Sequence, residues 1–312
     1  MTRVAVLKGG RSLERGVSLR SGARVEDALG RLGHEVESID VGPDLIPRLE
    51  ALAPEVAFVA LHGGDGEDGT VQELLEILGL PYTGSGVLAC GRAMDKVATK
   101  QLLLEAGLPT PPFFSFTETA FRELGAGEAL GAIAERLEFP IVVKPSSQGS
   151  ALGINFARTA ADLPAALVAA FSYDGRVLLE RHVSGRDLAV SVLERSDGPR
   201  ALPIVEALPH AEDFYDFEAR YEIGRTAFVC PAELGEATTE RAQELALATY
   251  ALLGCRGFAR VDLMLGEDGE LFVLEANPIP GLTDTSLLPQ AADAAGIGFD
   301  DLVGRILELA LR

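Results

Sequence analysis

Apolar residues over 1–95 come in short runs separated by stretches with helical spacing. Arg3 to Leu7 is a β-rich run that ends at Gly9-Gly10. From Ser18 to Leu32 the apolar residues Leu19, Val25, Leu29 and Leu32 recur on one helix face, and Gly33 closes the segment. Glu35 to Val41 and Val56 to Leu61 predict two more strands, and Val71 to Leu78 a helix. Alternating strand and helix predicts a parallel α/β unit.

The pattern then changes. Asp95 to Ala106 is helical, and Leu108-Pro-Thr-Pro-Pro112 reads as a hinge-like connector. Ile141 to Lys144 predicts a strand running into a Gly/Ser loop that ends at Gly153. Further strands are expected at Val177 to Glu180, Leu188 to Leu193, Gly257 to Leu265 and Glu270 to Glu275, with helices at Thr239 to Leu253 and Asp300 to Leu311. The fold class expected is α/β, α+β overall, in three lobes: 1–95, 96–180 and 181–312. The chain has neither an internal repeat nor a low-complexity tract.

Composition narrows the function. The 312 residues carry 27 Lys plus Arg against 47 Asp plus Glu, a net charge of −20. An acidic surface repels nucleic-acid backbones and anionic membranes, so neither is an expected partner. No apolar stretch reaches the ~18 residues of a membrane span. Three scattered cysteines, Cys90, Cys230 and Cys255, fit neither a disulfide framework nor a metal motif, and a cytoplasmic location is expected. Only Lys8, Lys96, Lys100 and Lys144 among the basic residues are lysines. Where arginine dominates so strongly, a retained lysine marks a place that the broad guanidinium does not fit.

The most informative segment runs from Gly257 to Pro278. Two alternating strands flank Asp268-Gly269, a hairpin signal. If those two residues form the loop, Asp262 lies opposite Glu275 and Arg260 opposite Asn277, all four on one face. A three-residue loop would separate them. Two carboxylates and an amide oxygen make a hard-oxygen site suited to Mg²⁺. The plain alternative is a solvated sheet face on which Arg260 pairs with Glu275. Lys144 precedes a loop able to offer N–H groups and hydroxyls to phosphate, although no Gly-Lys-Ser/Thr ends it. At the N-terminus the dinucleotide glycine spacing is absent, and the residue five after Gly9 is Glu14. A carboxylate there would repel a pyrophosphate and suits an ammonium group. The alternative is an exposed turn.

These stretches together resemble the D-alanine–D-alanine ligase family of the ATP-grasp superfamily. The resemblance rests on Gly9-Gly-Arg-Ser-Leu-Glu-Arg-Gly-Val-Ser18, Leu61-His-Gly-Gly-Asp-Gly-Glu-Asp-Gly69, Pro81-Tyr-Thr-Gly-Ser-Gly86, Met94-Asp-Lys96, Val143-Lys-Pro145 and Gly149-Ser150. It continues through Phe214 to Tyr221, Arg260-Val-Asp262, Leu274-Glu-Ala-Asn277, Pro280-Gly-Leu-Thr283 and Ser286-Leu287. It implies an ATP-grasp fold: a Rossmann-like N-terminal domain and two ATP-grasp lobes with antiparallel sheet. It also implies ATP-dependent ligation of two D-alanine molecules through an acylphosphate, in peptidoglycan precursor synthesis, by a homodimer.

The same resemblance assigns roles. Lys96, Lys144 and Arg220 would serve the ATP phosphates, Glu180, Arg181 and Val183 the adenine, and Asp187 the ribose. Asp262, Glu275 and Asn277 would hold two Mg²⁺ ions, with Mn²⁺ as a substitute. Glu14 would receive the first D-alanine ammonium, with His62 lining that pocket, and Ser286 and Leu287 the second carboxylate. Arg260 and the Gly281 N–H would face the oxyanion, while Tyr221, Ser150 and Glu14 would link a closing loop to the substrate. Departures from the common family pattern stand at Ala151, Arg181, Asp187, Arg220 and Pro278-Ile279. Ligation of a different amino acid pair and a nucleotide sensor without turnover are the alternatives.

Overall fold

The computed structural model describes residues 1–209 and 226–312. Strands β1 (Arg3–Lys8), β2 (Glu35–Asp40) and β3 (Val56–Val59) form a parallel sheet in the order β2-β1-β3. β1 is central, and Val4 to Leu7 are buried completely, as a near-continuous apolar run requires in a parallel sheet covered on both faces. The helix Arg15–Arg31 packs Val25 and Leu29 on this sheet. It begins three residues before Ser18 because the Glu14 carbonyl already accepts from the amides of Val17 and Ser18. Beside β3, the segment around Tyr82 makes a single parallel bridge to Ala57.

A second sheet contains β4 (Phe113–Thr117), β5 (Ile141–Pro145), β6 (Asn155–Ala157) and β7 (Arg176–Arg181), antiparallel throughout, in the order β4-β7-β5-β6. The helices Leu130–Leu137 and Leu163–Phe171 close its own core with Leu137, Leu163 and Leu167. A third, antiparallel sheet contains β8 (Gly185–Arg195), β9 (Gly198–Ala201), β10 (Val205–Pro209), β11 (Thr226–Val229), β12 (Phe258–Gly266) and β13 (Leu271–Asn277). Its order is β11-β10-β8-β12-β13, with β9 on β8. The helix Glu236–Leu253 packs Leu245, Tyr250 and Leu253 into one face of it. Leu103, from the helix Lys96–Glu105, sits in that same core.

The helices Leu287–Ala294 and Phe299–Ala310 join the first and third sheets. Leu288, Leu302 and Ile306 share one core with Val4, Phe58 and Leu29 on one side and Leu193 and Phe258 on the other. Among the described residues no helix is long and apolar enough to cross a membrane.

The carboxylate hairpin departs from the simplest expectation and reaches the same result. The Gly266 amide donates to the Glu270 carbonyl at 2.8 Å and the Gly269 amide to the Gly266 carbonyl at 2.9 Å. The loop therefore holds three residues, 267–269, with Gly269 at φ 86°, a conformation glycine adopts without steric cost. Taken alone this loop would put Asp262 and Glu275 out of step. The pairing, however, passes from Leu263 opposite Val273 to Asp262 opposite Glu275, so Leu274 is an extra residue in β13. This bulge restores the expected partners. Val273 and Ala276 face the core, while Leu274, Glu275 and Asn277 face the groove.

Candidate active site

Three adjoining cavities form one groove between the second sheet, which is the central one in chain order, and the third sheet. The first is walled by apolar side chains, including Val142, Phe156, Val183, Met264 and Leu274. Asp187 stands at its boundary with the next cavity, and Lys144, Ile154 and Leu274 line both. His182 meets Phe156 edge-on at 5.6 Å, and burial holds its imidazole below the ordinary range despite nearby Glu180. A neutral ring in a flat apolar slot suits a planar base. Arg181 borders this cavity, but its guanidinium turns away, donating to the Leu137 carbonyl at 3.1 Å and lying 3.8 Å from Glu138. Glu180 lines this cavity too. It is 3% exposed and turned to Lys144 at 2.6 Å and Lys100 at 2.5 Å, because two ammonium groups beneath the cleft outcompete the opening for it.

The middle of the groove carries the carboxylates. Asp262 and Glu275 line its second cavity, and Glu275 with Leu287 continues into the third. Arg260 donates to both Asp262 oxygens, at 2.6 and 2.8 Å, a bidentate fork two residues along the same strand face. Arg260 pairs with Asp262 and not, as the plain alternative had it, with Glu275, which has Lys96 at 3.1 Å. Lys96 also donates to the Gln148 carbonyl at 2.6 Å, which ties the loop after β5 to this hairpin. The Asn277 side-chain oxygen accepts from the Ile279 amide at 2.9 Å, leaving its second lone pair for another partner.

This donor set fits Mg²⁺. It provides hard oxygens on one face, with two lysines near enough to share phosphate charge. Among the described residues no three His, Cys, Asp or Glu form a self-sufficient metal cage. Mg²⁺ uses few protein carboxylates and completes its octahedron with water and substrate phosphate.

The third cavity brings together residues from distant parts of the chain. Glu14 and His62 come from the N-terminal unit, Lys96 and Ser150 from the segments flanking the central sheet, and Arg260, Glu275 and Asn277 from the hairpin. Gly281, Ser286 and Leu287 close the far end. Glu14 is only 5% exposed and accepts from the Ser150 hydroxyl. Its carboxylate fits between two glycines: a Cβ on Gly63 would stand 2.2 Å from Oε2, and one on Gly149 2.7 Å. His62 Nε2 is 2.9 Å from the Ser21 hydroxyl, and Ser21 Oγ accepts from the Leu282 amide at 3.1 Å. That chain fixes the Gly281-Leu282 loop against the N-terminal unit. The Ser286 hydroxyl accepts from the Thr283 amide at 3.0 Å, and the helix Leu287–Ala294 begins beside it, with Leu287 lining the cavity.

Of the expected site residues, Arg220 and Tyr221 lie outside the described residues. Ala151 has φ 59° beside the nucleotide cavity. Of the Pro278-Ile279 departure, Pro278 lines the third cavity and Ile279 is buried in the core under the N-terminal sheet. Sequence reasoning missed Ser21, Glu67 and Lys100 as neighbours of the site. Only Lys100 left a signal, its retention in an arginine-rich chain.

A groove that leads from a flat apolar slot past buried lysines and paired carboxylates to an ammonium-seeking glutamate defines an ATP-grasp protein, built to bring a nucleotide and a small amino acid together. Models of the D-ala D-ala ligase N-terminus and C-terminus match residues 44–85 and 102–308. The D-alanine–D-alanine ligase of Moorella thermoacetica is 46% identical over 309 residues, spanning 99% of each chain. That of Desulforudis audaxviator is 48% identical over 311 residues, 99% of this chain and 98% of its own. The crystal structure of the Bacillus anthracis D-alanine–D-alanine ligase complexed with ATP superposes with a TM-score of 0.84 at 34% identity, covering 100% of this chain and 98% of the other. The chain belongs to the D-alanine–D-alanine ligase family.

Proposed function

We propose that this protein joins two D-alanine molecules into D-alanyl-D-alanine at the expense of ATP, with the groove residues acting in spatial order. The observation that carries the reading is the continuity of the groove, which passes from the base slot through Lys144 and the carboxylates to Glu14 and Ser286.

The base occupies the slot around Phe156, His182 and Val183, Asp187 takes the ribose, and Lys144 and Lys96 take the phosphates. Asp262, Glu275 and Asn277 hold the Mg²⁺ ions, which when bound neutralise charge on the transferring phosphoryl group. Glu14 pairs with the ammonium of the first D-alanine and aims its carboxylate at the γ-phosphorus. Attack gives an acylphosphate and ADP. The neutral amine of the second D-alanine then attacks the acyl carbon, and inorganic phosphate leaves. Its carboxylate is received by Ser286 and the helix start at Leu287. Arg260, held in place by Asp262, and the Gly281 N–H face the tetrahedral oxyanion. Losing one such donor typically costs about 3 kcal/mol of barrier. In this reading Arg220 also serves the ATP phosphates and Tyr221 the substrate.

The division into 1–95, 96–180 and 181–312 is part of the same proposal, supported by one sheet in each part. So are a homodimer and a cytoplasmic location, the latter supported by three free thiols. The test is a product assay with ATP, Mg²⁺ and D-alanine, run beside D-serine, D-lactate and L-alanine. D-alanyl-D-alanine with one phosphate per bond is the expected result. Phosphate release without dipeptide, or faster ligation of another pair, refutes the substrate assignment. Light scattering tests the dimer.

A further inference from the structure

Lys100 has no part in the roles assigned above, yet it is fully buried. It follows Lys96 by one helical turn, which places both on the same side of the helix Lys96–Glu105. Its Nζ lies 2.5 Å from one oxygen of Glu180, and Lys144 Nζ lies 2.6 Å from the other. It also donates to the Thr110 hydroxyl, which donates to the Val273 carbonyl of β13 at 2.8 Å. The Phe113 ring lies 5.1 Å away. One buried carboxylate is therefore shared by two ammonium groups.

The charge arithmetic has a consequence for the nucleotide. Glu180 with Lys144 alone would be a closed neutral pair, and Lys144 would have little charge left to offer a phosphate. With Lys100 the trio carries one net positive charge. Burial pushes the Glu180 carboxyl up, but the two lysines outweigh it and hold the group below the usual range, so Glu180 stays ionised. Burial also draws Lys100 down to about 8. The cost of burying that ammonium is offset by its contacts with Glu180, Thr110 and Phe113. Lys100 is fully buried, a setting that suits a compact ammonium better than a broad guanidinium and agrees with a lysine retained here among 23 arginines, the remainder of 27 basic residues after the four lysines.

We propose that Lys100 is a positioning residue: it engages Glu180 so that Lys144 presents uncompensated positive charge to the nucleotide phosphates. The proposal rests on the reading of Lys144 as a phosphate ligand.

The test is equilibrium binding of ADP and, separately, adenosine, with Mg²⁺ present, by titration calorimetry. Lys100→Met is expected to weaken ADP at least about tenfold, the worth of one charged hydrogen bond, while adenosine changes less than about twofold. The double variant Lys100→Met with Glu180→Gln frees Lys144 again and is expected to regain ADP binding to within about threefold of wild type. Equal loss of ADP and adenosine, unchanged ADP binding in Lys100→Met, or a double variant as weak as the single overturns the proposal. If Lys100→Met does not fold, the double variant alone decides it by the same threefold criterion. Lys144→Met with unchanged ADP affinity would instead remove the underlying phosphate reading, a separate result.

Discussion

Gly149→Ala isolates the placement of one carboxylate from the stability of the fold. The new Cβ would lie 2.7 Å from Glu14 Oε2, against the 3.4 Å of ordinary contact, so the oxygen must retreat by about 0.7 Å. Glu14 is 5% exposed and bound to Ser150, so the retreat strains that contact and takes the oxygen off the place where the cavity would receive an ammonium. A shift of 1 Å at a reacting group costs about a hundredfold, which makes a ten- to hundredfold loss of kcat/KM for D-alanine the expected effect, at unchanged KM for ATP. Gly64→Ala is the control. Gly64 has φ 47° and its nearest neighbour to a Cβ is Ser12 at 3.7 Å, so the change costs about 1–2 kcal/mol of backbone energy without touching Glu14. Phosphate-release kinetics and thermal melting are measured on both variants. Gly149→Ala should lose activity at near-normal melting temperature, and Gly64→Ala the reverse. Wild-type kinetics in Gly149→Ala, or a collapse of its melting temperature, would refute the steric reasoning.

Other consequences are equally open to measurement. Arg260→Lys keeps the charge but loses the fork to Asp262, and kcat should fall by about a hundredfold or more with ADP affinity nearly unchanged. Equal kcat would show that the fork is dispensable. Asp262→Asn should raise the Mg²⁺ concentration needed for half-maximal rate by about tenfold, read from a metal titration, since one of the two carboxylates is lost. Phe258→Ala empties a fully buried site in the core shared by two sheets, and chemical denaturation should report about 3–5 kcal/mol of lost stability. Burial raises all three thiols, Cys90 well above the ordinary range, Cys255 to about 11 and Cys230 by less. Raised values mean less thiolate at pH 8, so a thiol reagent should label native protein slowly and urea-unfolded protein fast. Rapid native labelling of Cys90 would contradict its burial.

Burial alone does not decide which strands were legible in the sequence: β2 is expected although only its Ile39 is buried, and β10, buried from Val205 to Ala207, is not. β1, β5 and the β12–β13 hairpin carry strong apolar runs or alternation. β9, with Pro199 and exposed residues 199–200, carries neither, and it forms only because β8 offers an edge. The helix Leu287–Ala294 is short, and its packing on two sheets rather than its own spacing defines it. The bulge at Leu274 was hidden because Leu271 to Leu274 are all apolar, so no break in alternation marks the extra residue. Glu14, Ser150 and Ser286 converge across more than a hundred residues of chain. Their residue types are readable from sequence, whereas their meeting depends on the tertiary fold. The inward turn of Glu180 has the same origin, since its partner Lys100 lies on another element.

The core that runs unbroken from the N-terminal sheet through the last two helices into the third sheet has a mechanical corollary. Two of the three sheets share hydrophobic packing and should travel as a single body, while the four-stranded sheet keeps a separate core of its own. Opening of the groove to admit ATP is then expected as a swing of that one flap against the rest, like a jaw against a fixed skull. Spin labels at exposed positions 135 and 308 should draw together when nucleotide binds, whereas labels at 33 and 196 should hold their separation.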